Sequence, residues 1–211
     1  MGRLSDQLGQ MRGELVHATA AAVMHEPLPL AMLSAVTAVA HDALPEREQH
    51  GAVFSGLITL LPRLTLGEAA LPDLVRWEMV LLADLGFGLD LTCCAVTGAT
   101  AGLVRVSPRT GRAVTAAGAG EWADRLLKLP AFLTGPADSG AKDSRAADSG
   151  ARDAAAKDSR AKDWRDGLRL TGHFLARDVC GARHRPLAQA RVMLYDRVAA
   201  LAADQEDQDA G

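Results

Sequence analysis

The chain has 211 residues, 48% of them hydrophobic and only 4% aromatic, with a formal net charge of −3. That is enough apolar material for a sizeable core built mainly from Leu, Val and Ala, which favours packed helices over a β-sandwich. The charge excludes a global cationic field, so a nucleic-acid or other anionic partner needs a local basic patch.

The three cysteines, Cys93, Cys94 and Cys180, are too few and oddly numbered for a disulfide framework, which points to a reducing compartment. No apolar run is long enough to cross a bilayer, and the start, MGRLSDQLGQ, carries no hydrophobic secretion signal. A cytoplasmic protein with no membrane partner is the expectation.

Residues 10–17, QMRGELVH, alternate weakly in polarity and read as one short strand. Residues 27–43 carry Leu30, Leu33, Val36, Thr37 and Ala40 at helical spacing, with Pro29 in the first turn. After LPERE the pattern resumes over 49–61 through Val53, Leu57, Leu60 and Leu61, giving two antiparallel helices joined by a short loop.

A third helix is predicted from about Pro72 to Leu85, with Gly86 as a left-handed cap. Its apolar stripe is Leu71, Leu74, Val75, Leu81, Leu82 and Leu85, and Glu78 sits inside that stripe. A buried carboxylate is costly unless paired, so an arginine from elsewhere is expected to meet Glu78 in a structural role.

Leu103–Val106 and Arg112–Val114 then read as short strands around the turn Ser107-Pro-Arg-Thr-Gly111. Residues 120–128 read as helical, with Trp122, Leu126 and Leu127 apolar. Residues 138–163 repeat aspartate every fifth position with nothing apolar larger than Ala. Five does not match the helical period, so this is a low-complexity linker or a transient Ala-rich helix. Structure is expected to resume at Trp164, with Leu168, Thr171, Leu175 and Val179 in one stripe and Gly181 ending it. Pro186 opens a last helix carrying Leu187, Leu194, Val198 and Leu201, and an acidic tail closes the chain.

No phosphate loop, HExxH motif or nucleophile elbow is present, and the six histidines lack ligand spacing, so no catalytic residues and no cofactor are expected. Adjacent Cys93 and Cys94 with no second pair do not make a zinc site. Arg105, Arg109 and Arg112 cluster on or beside the hairpin, with no acid between Ala95 and Ala119. This patch could contact phosphates or an acidic peptide. The alternative is a solvated turn with one arginine reaching Glu78.

Several of these stretches, taken in order, resemble the RecO family. HDALPEREQHGAVF is similar to its inter-helix loop, VRWEMVLLADLGFGLDLTCCAVTGAT to its long helix and glycine turn, and VRVSPRTGRAV to its hairpin. RLLKLPAFL, LRLTGHFLARDV and PLAQARVMLYDRV resemble the segments that follow. The resemblance implies a mostly α fold: a helical domain over 26–135 with a hairpin at about 94–115, a linker at 136–163, and a C-terminal helical pair of the same domain at 164–203, followed by a tail at 204–211. LGQMRGELVHAT resembles the last strand of an OB-fold, so residues 1–25 are expected to be a one-strand remnant of that domain with its earlier strands absent. Some family members hold zinc with four cysteines on the hairpin. Here Cys94 and Thr97 stand at the first pair, and the region from Val114 to Gly118 supplies none.

The function implied is recombination mediation: binding and annealing of single- and double-stranded DNA, and loading of RecA with RecR onto single strands coated by the single-strand-binding protein, SSB. The helical domain would dock the acidic, apolar-ended SSB tail, near the nucleoid. The competing expectation is a non-catalytic helical scaffold that holds a partner without touching DNA.

Overall fold

The computed structural model describes residues 13–15, 18–134 and 150–209, with side-chain surroundings in the last stretch from 159 to 204. Most of the expected N-terminal strand and the first part of the aspartate repeat lie outside the described residues; residues 13–15 are not in regular structure.

Helices dominate. A short α1 (Thr19–Val23) leads into α2 (Pro27–Ala43), whose start is set by prolines in its first turn. The buried side of α2 is Pro29, Met32, Ala35, Val36, Val39 and Ala43. This corrects the sequence-based stripe, which lies to one side: Leu30 is 39% exposed and Thr37 is exposed, its hydroxyl bonded back to Leu33 O at 2.8 Å. The error comes from an Ala- and Val-rich helix, where small residues fill the tight face and the larger leucines flank it.

α3 (Gly51–Arg63) and α4 (Leu71–Asp84) are joined by a 3₁₀ segment, Leu64–Ala70, kinked where Gly67 takes φ 61°. Trp77 of α4 donates from its indole N–H to Val53 O at 3.1 Å, and Gly56 leaves room for that ring. The Leu71, Leu74, Val75, Leu81 and Leu82 stripe of α4 is buried as expected. Past the helix end, Gly86 at φ 86° lets Phe87 N–H reach back to Leu82 O at 2.7 Å, a Schellman closure that re-aims the chain into the sheet.

The sheet has three antiparallel strands in the order β2-β1-β3, from β1 (Leu103–Val106), β2 (Ala113–Thr115) and β3 (Leu127–Lys128). The hairpin is therefore as read from sequence, but the expected helix over 120–128 is corrected. A brief α5 (Ala116–Ala119) and a 3₁₀ segment over Gly120–Arg125 give way to β3, which pairs Arg105 with Lys128 and Val106 with Leu127. Alternation of Leu127, Lys128 and Leu129 is strand texture, and β1 offers the open edge that stabilises it.

The long α6 (Gly150–Phe174) begins well before Trp164, within the stretch read as linker, and Ala161 is already fully buried. It widens into a π turn over Leu175–Cys180, then ends at His184 in the left-handed region. α7 (Gln189–Asp209) begins three residues beyond Pro186 and packs against α2 and α6. The core fills the space between α2, α4, α6 and α7, and the sheet is attached to the flank of α6.

Candidate functional site

Glu78 is buried at 1% exposure where α4, α6 and α7 converge. Its partner is Arg191 of α7, not a hairpin arginine. Thr171 of α6 also donates its hydroxyl to the Glu78 carboxylate, so charge and hydrogen-bonding capacity are matched inside the core.

The hairpin turn is held from behind. Gly111 at φ 69° closes it, donating to Ser107 O at 2.9 Å, and a Cβ there would sit 2.9 Å from Leu89 Cδ2. His173 Nε2 donates to Pro108 O at 3.0 Å, and Arg177 donates to Pro108 O and, at 3.2 Å, to Arg109 O. The Arg177 guanidinium also lies 4.8 Å from the Phe174 ring centroid and pairs with Asp178 at 2.6 Å. Behind the turn, Arg112 Nε meets Asp90 at 3.4 Å. The Thr92 hydroxyl and amide, with Arg112 in support, hold the Asp90 carboxyl below the usual range.

The three hairpin arginines do not form one cluster. Arg109 is exposed at the tip, and Arg112 beside it is engaged with Asp90. Arg105 is half-buried on β1, opposite Lys128 of β3, and lines a groove between the sheet and α6. The structure instead brings Arg177 to the tip. Sequence offered no sign of that, because its partners there are backbone carbonyls. Lys128 was within reach: its placement between two leucines is the period-2 pattern of a strand edge.

Cys94 starts a tight knuckle. Gly98 N–H returns to Cys94 O at 2.9 Å, and the amides of Thr97 and Thr115 donate to Cys94 Sγ at 3.4 and 3.3 Å. The Thr97 side chain above all, with these amides, pulls the thiol down from 9.0 to about 6 against the opposing effect of burial. The donor set does not fit zinc. Cys94 supplies one sulfur, threonines stand at 97 and 115, and the described residues contain no group of three His, Cys, Asp or Glu side chains placed to hold a metal. The hairpin base is held by N–H···S bonds and packing.

The model of the family described as "Recombination protein O C terminal" matches residues 24–186. The chain belongs to the RecO family. The DNA repair protein RecO of Granulibacter bethesdensis is 52% identical over 200 residues, covering 94% of this chain and 73% of that protein. Its counterpart in Gluconacetobacter diazotrophicus is 50% identical over 205 residues, covering 95% and 73%. That of Acidiphilium cryptum is 52% identical over 198 residues, covering 94% and 72%. No solved structure matches the chain. The matched RecO region contains the hairpin, the knuckle and Glu78, while Arg191 lies just past it. No helix among the described residues of this RecO-family chain is long and apolar enough to cross a membrane.

Proposed function

We propose that the chain acts in DNA repair and recombination as a mediator. It binds and anneals DNA in the cytoplasm at the nucleoid. It works with RecR to load RecA onto SSB-coated single strands and docks the acidic SSB tail. The support is RecO-family membership together with one structural observation: a basic turn braced from behind by His173 and Arg177, which presents Arg109 outward with Arg112 beside it. A braced cation loses little freedom on meeting a phosphate or a carboxylate, so more of the interaction appears as affinity.

The test is a titration of the full chain with single-stranded DNA and, separately, with a labelled acidic peptide ending in an apolar residue. Arg109→Gln and Arg112→Gln should weaken single-strand binding and flatten its salt dependence, by about 0.7 in the log–log slope for each phosphate no longer neutralised. Unchanged affinity and slope in the double variant would sink the assignment.

A second reading is favoured by the neutralisation already present, with Arg112 on Asp90, Arg177 on Asp178 and a net charge of −3. In that reading the domain is a scaffold that holds RecR and leaves DNA to other components. Retained RecR binding with no mobility shift of single-stranded DNA would select it.

A further inference from the structure

A hollow of about 280 Å³ opens between the sheet and α6. Its volume is near the low end of ligand sites, which run roughly 300–1,000 Å³. Leu129, Pro130 and Ala119 give it an apolar side. Arg105 and Lys128 line it from the strands, and Asp163 and Asp166 line it from α6.

These charges are arranged at some cost to stability. Arg105 and Lys128 are register partners on antiparallel strands, and like charges directly opposite each other destabilise a sheet. Lys128 is partly offset by Asp166 at 3.6 Å, and Asp166 also meets Arg165 Nε at 3.5 Å, whereas the Arg105 guanidinium has no ion-pair partner among the described residues. On the other wall, burial and the neighbouring Asp166 hold the Asp163 carboxyl above the ordinary range, with Lys128 opposing them. A second hollow of about 210 Å³ shares Arg105, Lys128 and Asp166 and adds Arg169. The cation pair thus stands between two adjoining spaces.

One ligand chemistry satisfies both walls. It carries an anion for Arg105 and Lys128, a flat body for the apolar side, and N–H donors for Asp163 and for the acceptor positions of Asp166 that Lys128 and Arg165 leave open. An acidic peptide offers an anion and backbone N–H donors but no rigid flat body for the apolar side. A nucleotide offers all three. A carboxylate accepts well from the amino groups of cytosine and guanine, whereas thymine flanks its single N–H with two carbonyl oxygens.

We infer that the groove between the sheet and α6 receives one unpaired nucleotide of a DNA strand, with its phosphate between Arg105 and Lys128 and a cytosine or guanine base turned toward Asp163 and Asp166. The inference rests on reading the chain as a DNA-binding repair protein. It locates a second contact, away from the hairpin tip, that discriminates bases where the tip does not. The second hollow, with Arg169, accommodates the neighbouring nucleotide.

The test uses ¹H–¹⁵N spectra of the full chain titrated with dCMP, dGMP, dTMP, inorganic phosphate, and an acidic peptide with an apolar end. Saturable shifts of the Val104, Ala119 and Leu129 amides are expected with dCMP and dGMP, about tenfold tighter than with dTMP. Arg105→Gln weakens all the nucleotides. Asp163→Asn with Asp166→Asn removes the preference for dCMP over dTMP, while unperturbed resonances of α2 and α7 show that each variant is folded. Equal response to phosphate alone, equal affinity for dCMP and dTMP, or tighter binding of the peptide overturns the assignment. A parallel titration with a mixed-sequence oligonucleotide separates the two readings. If the strand binds but the groove amides stay unmoved, the groove assignment falls and the hairpin tip stands. If no oligonucleotide binds, the DNA reading itself falls.

Discussion

Arg191 of α7 grips Glu78 of α4 through two nitrogens, Nε to Oε1 at 2.5 Å and Nη2 to Oε2 at 2.9 Å, and the same Nη2 also donates to Leu168 O at 2.8 Å. One carboxylate thereby ties together three helices whose contributing residues are up to 113 positions apart. Breaking a buried pair from one side leaves an uncompensated charge, so Glu78→Gln or Arg191→Met should each cost about 3–5 kcal/mol in urea unfolding. The double change Glu78→Leu with Arg191→Met should cost less than either alone. A double variant as unstable as the summed singles would contradict the pairing.

Arg177 fixes the hairpin turn without contributing much to global stability. Its bonds to Pro108 O and Arg109 O are surface-accessible and together worth about 1 kcal/mol or slightly more. Arg177→Ala should leave the melting temperature nearly unchanged while amide exchange at Thr110 and Gly111 speeds up. If those amides stay as protected as before, the brace is supplied by His173 alone.

Cys94 should give stability a distinctive pH dependence. Its folded-state value of about 6 lies below the ordinary 9.0, so the unfolded chain holds the proton over a range where the native thiolate does not. The thiol's contribution is fully present above the ordinary value, falls as pH drops toward 6, and is lost below it. A thiolate ultraviolet absorbance step near pH 6 is expected in the native chain, and it should vanish in Cys94→Ala. A step near 9 would show that the Thr97 and Thr115 donors do not stabilise the anion.

Gly167 in the middle of α6 looks from sequence like a defect that alanine would repair by about 1 kcal/mol. The packing reverses that sign. A Cβ there would sit 2.8 Å from Phe132 Cζ and 3.3 Å from Val75 Cγ2. Gly167→Ala should therefore lower stability, by about 1–3 kcal/mol from overpacking. Gly67→Ala has open space around it but is strained by its φ of 61°, so it makes a useful comparison of backbone cost without a clash.

The readable features were those set by local chemistry. The prolines opening α2 and α4, the glycine closing α4 and the Ser107–Gly111 turn are decided within a few residues, and their sequence positions mark them. Glu78 stood out because a carboxylate in an apolar stripe demands a partner. Which partner it finds depends on how α7 returns against α4, and nothing local to Arg191 announces that. Non-local pairing also decided β3: Gly120–Lys128 has some helical texture, and only the free edge of β1 turns Leu127 and Lys128 into a strand. The buried face of α2 departs from its leucine spacing because alanine and valine bury as completely as leucine when helices approach closely. Arg105 lies close to Arg109 and Arg112 in sequence, whereas the sheet turns it toward α6.

Every bond that His173 and Arg177 make to the turn ends on a main-chain oxygen. A carbonyl is the same acceptor whatever residue carries it, so the residue at position 109 can be exchanged without loosening that grip. The tip behaves as a replaceable face on a fixed mount. Single substitutions there can retune its charge toward a different anionic partner, whereas a change at Arg177 or Gly111 moves the whole face.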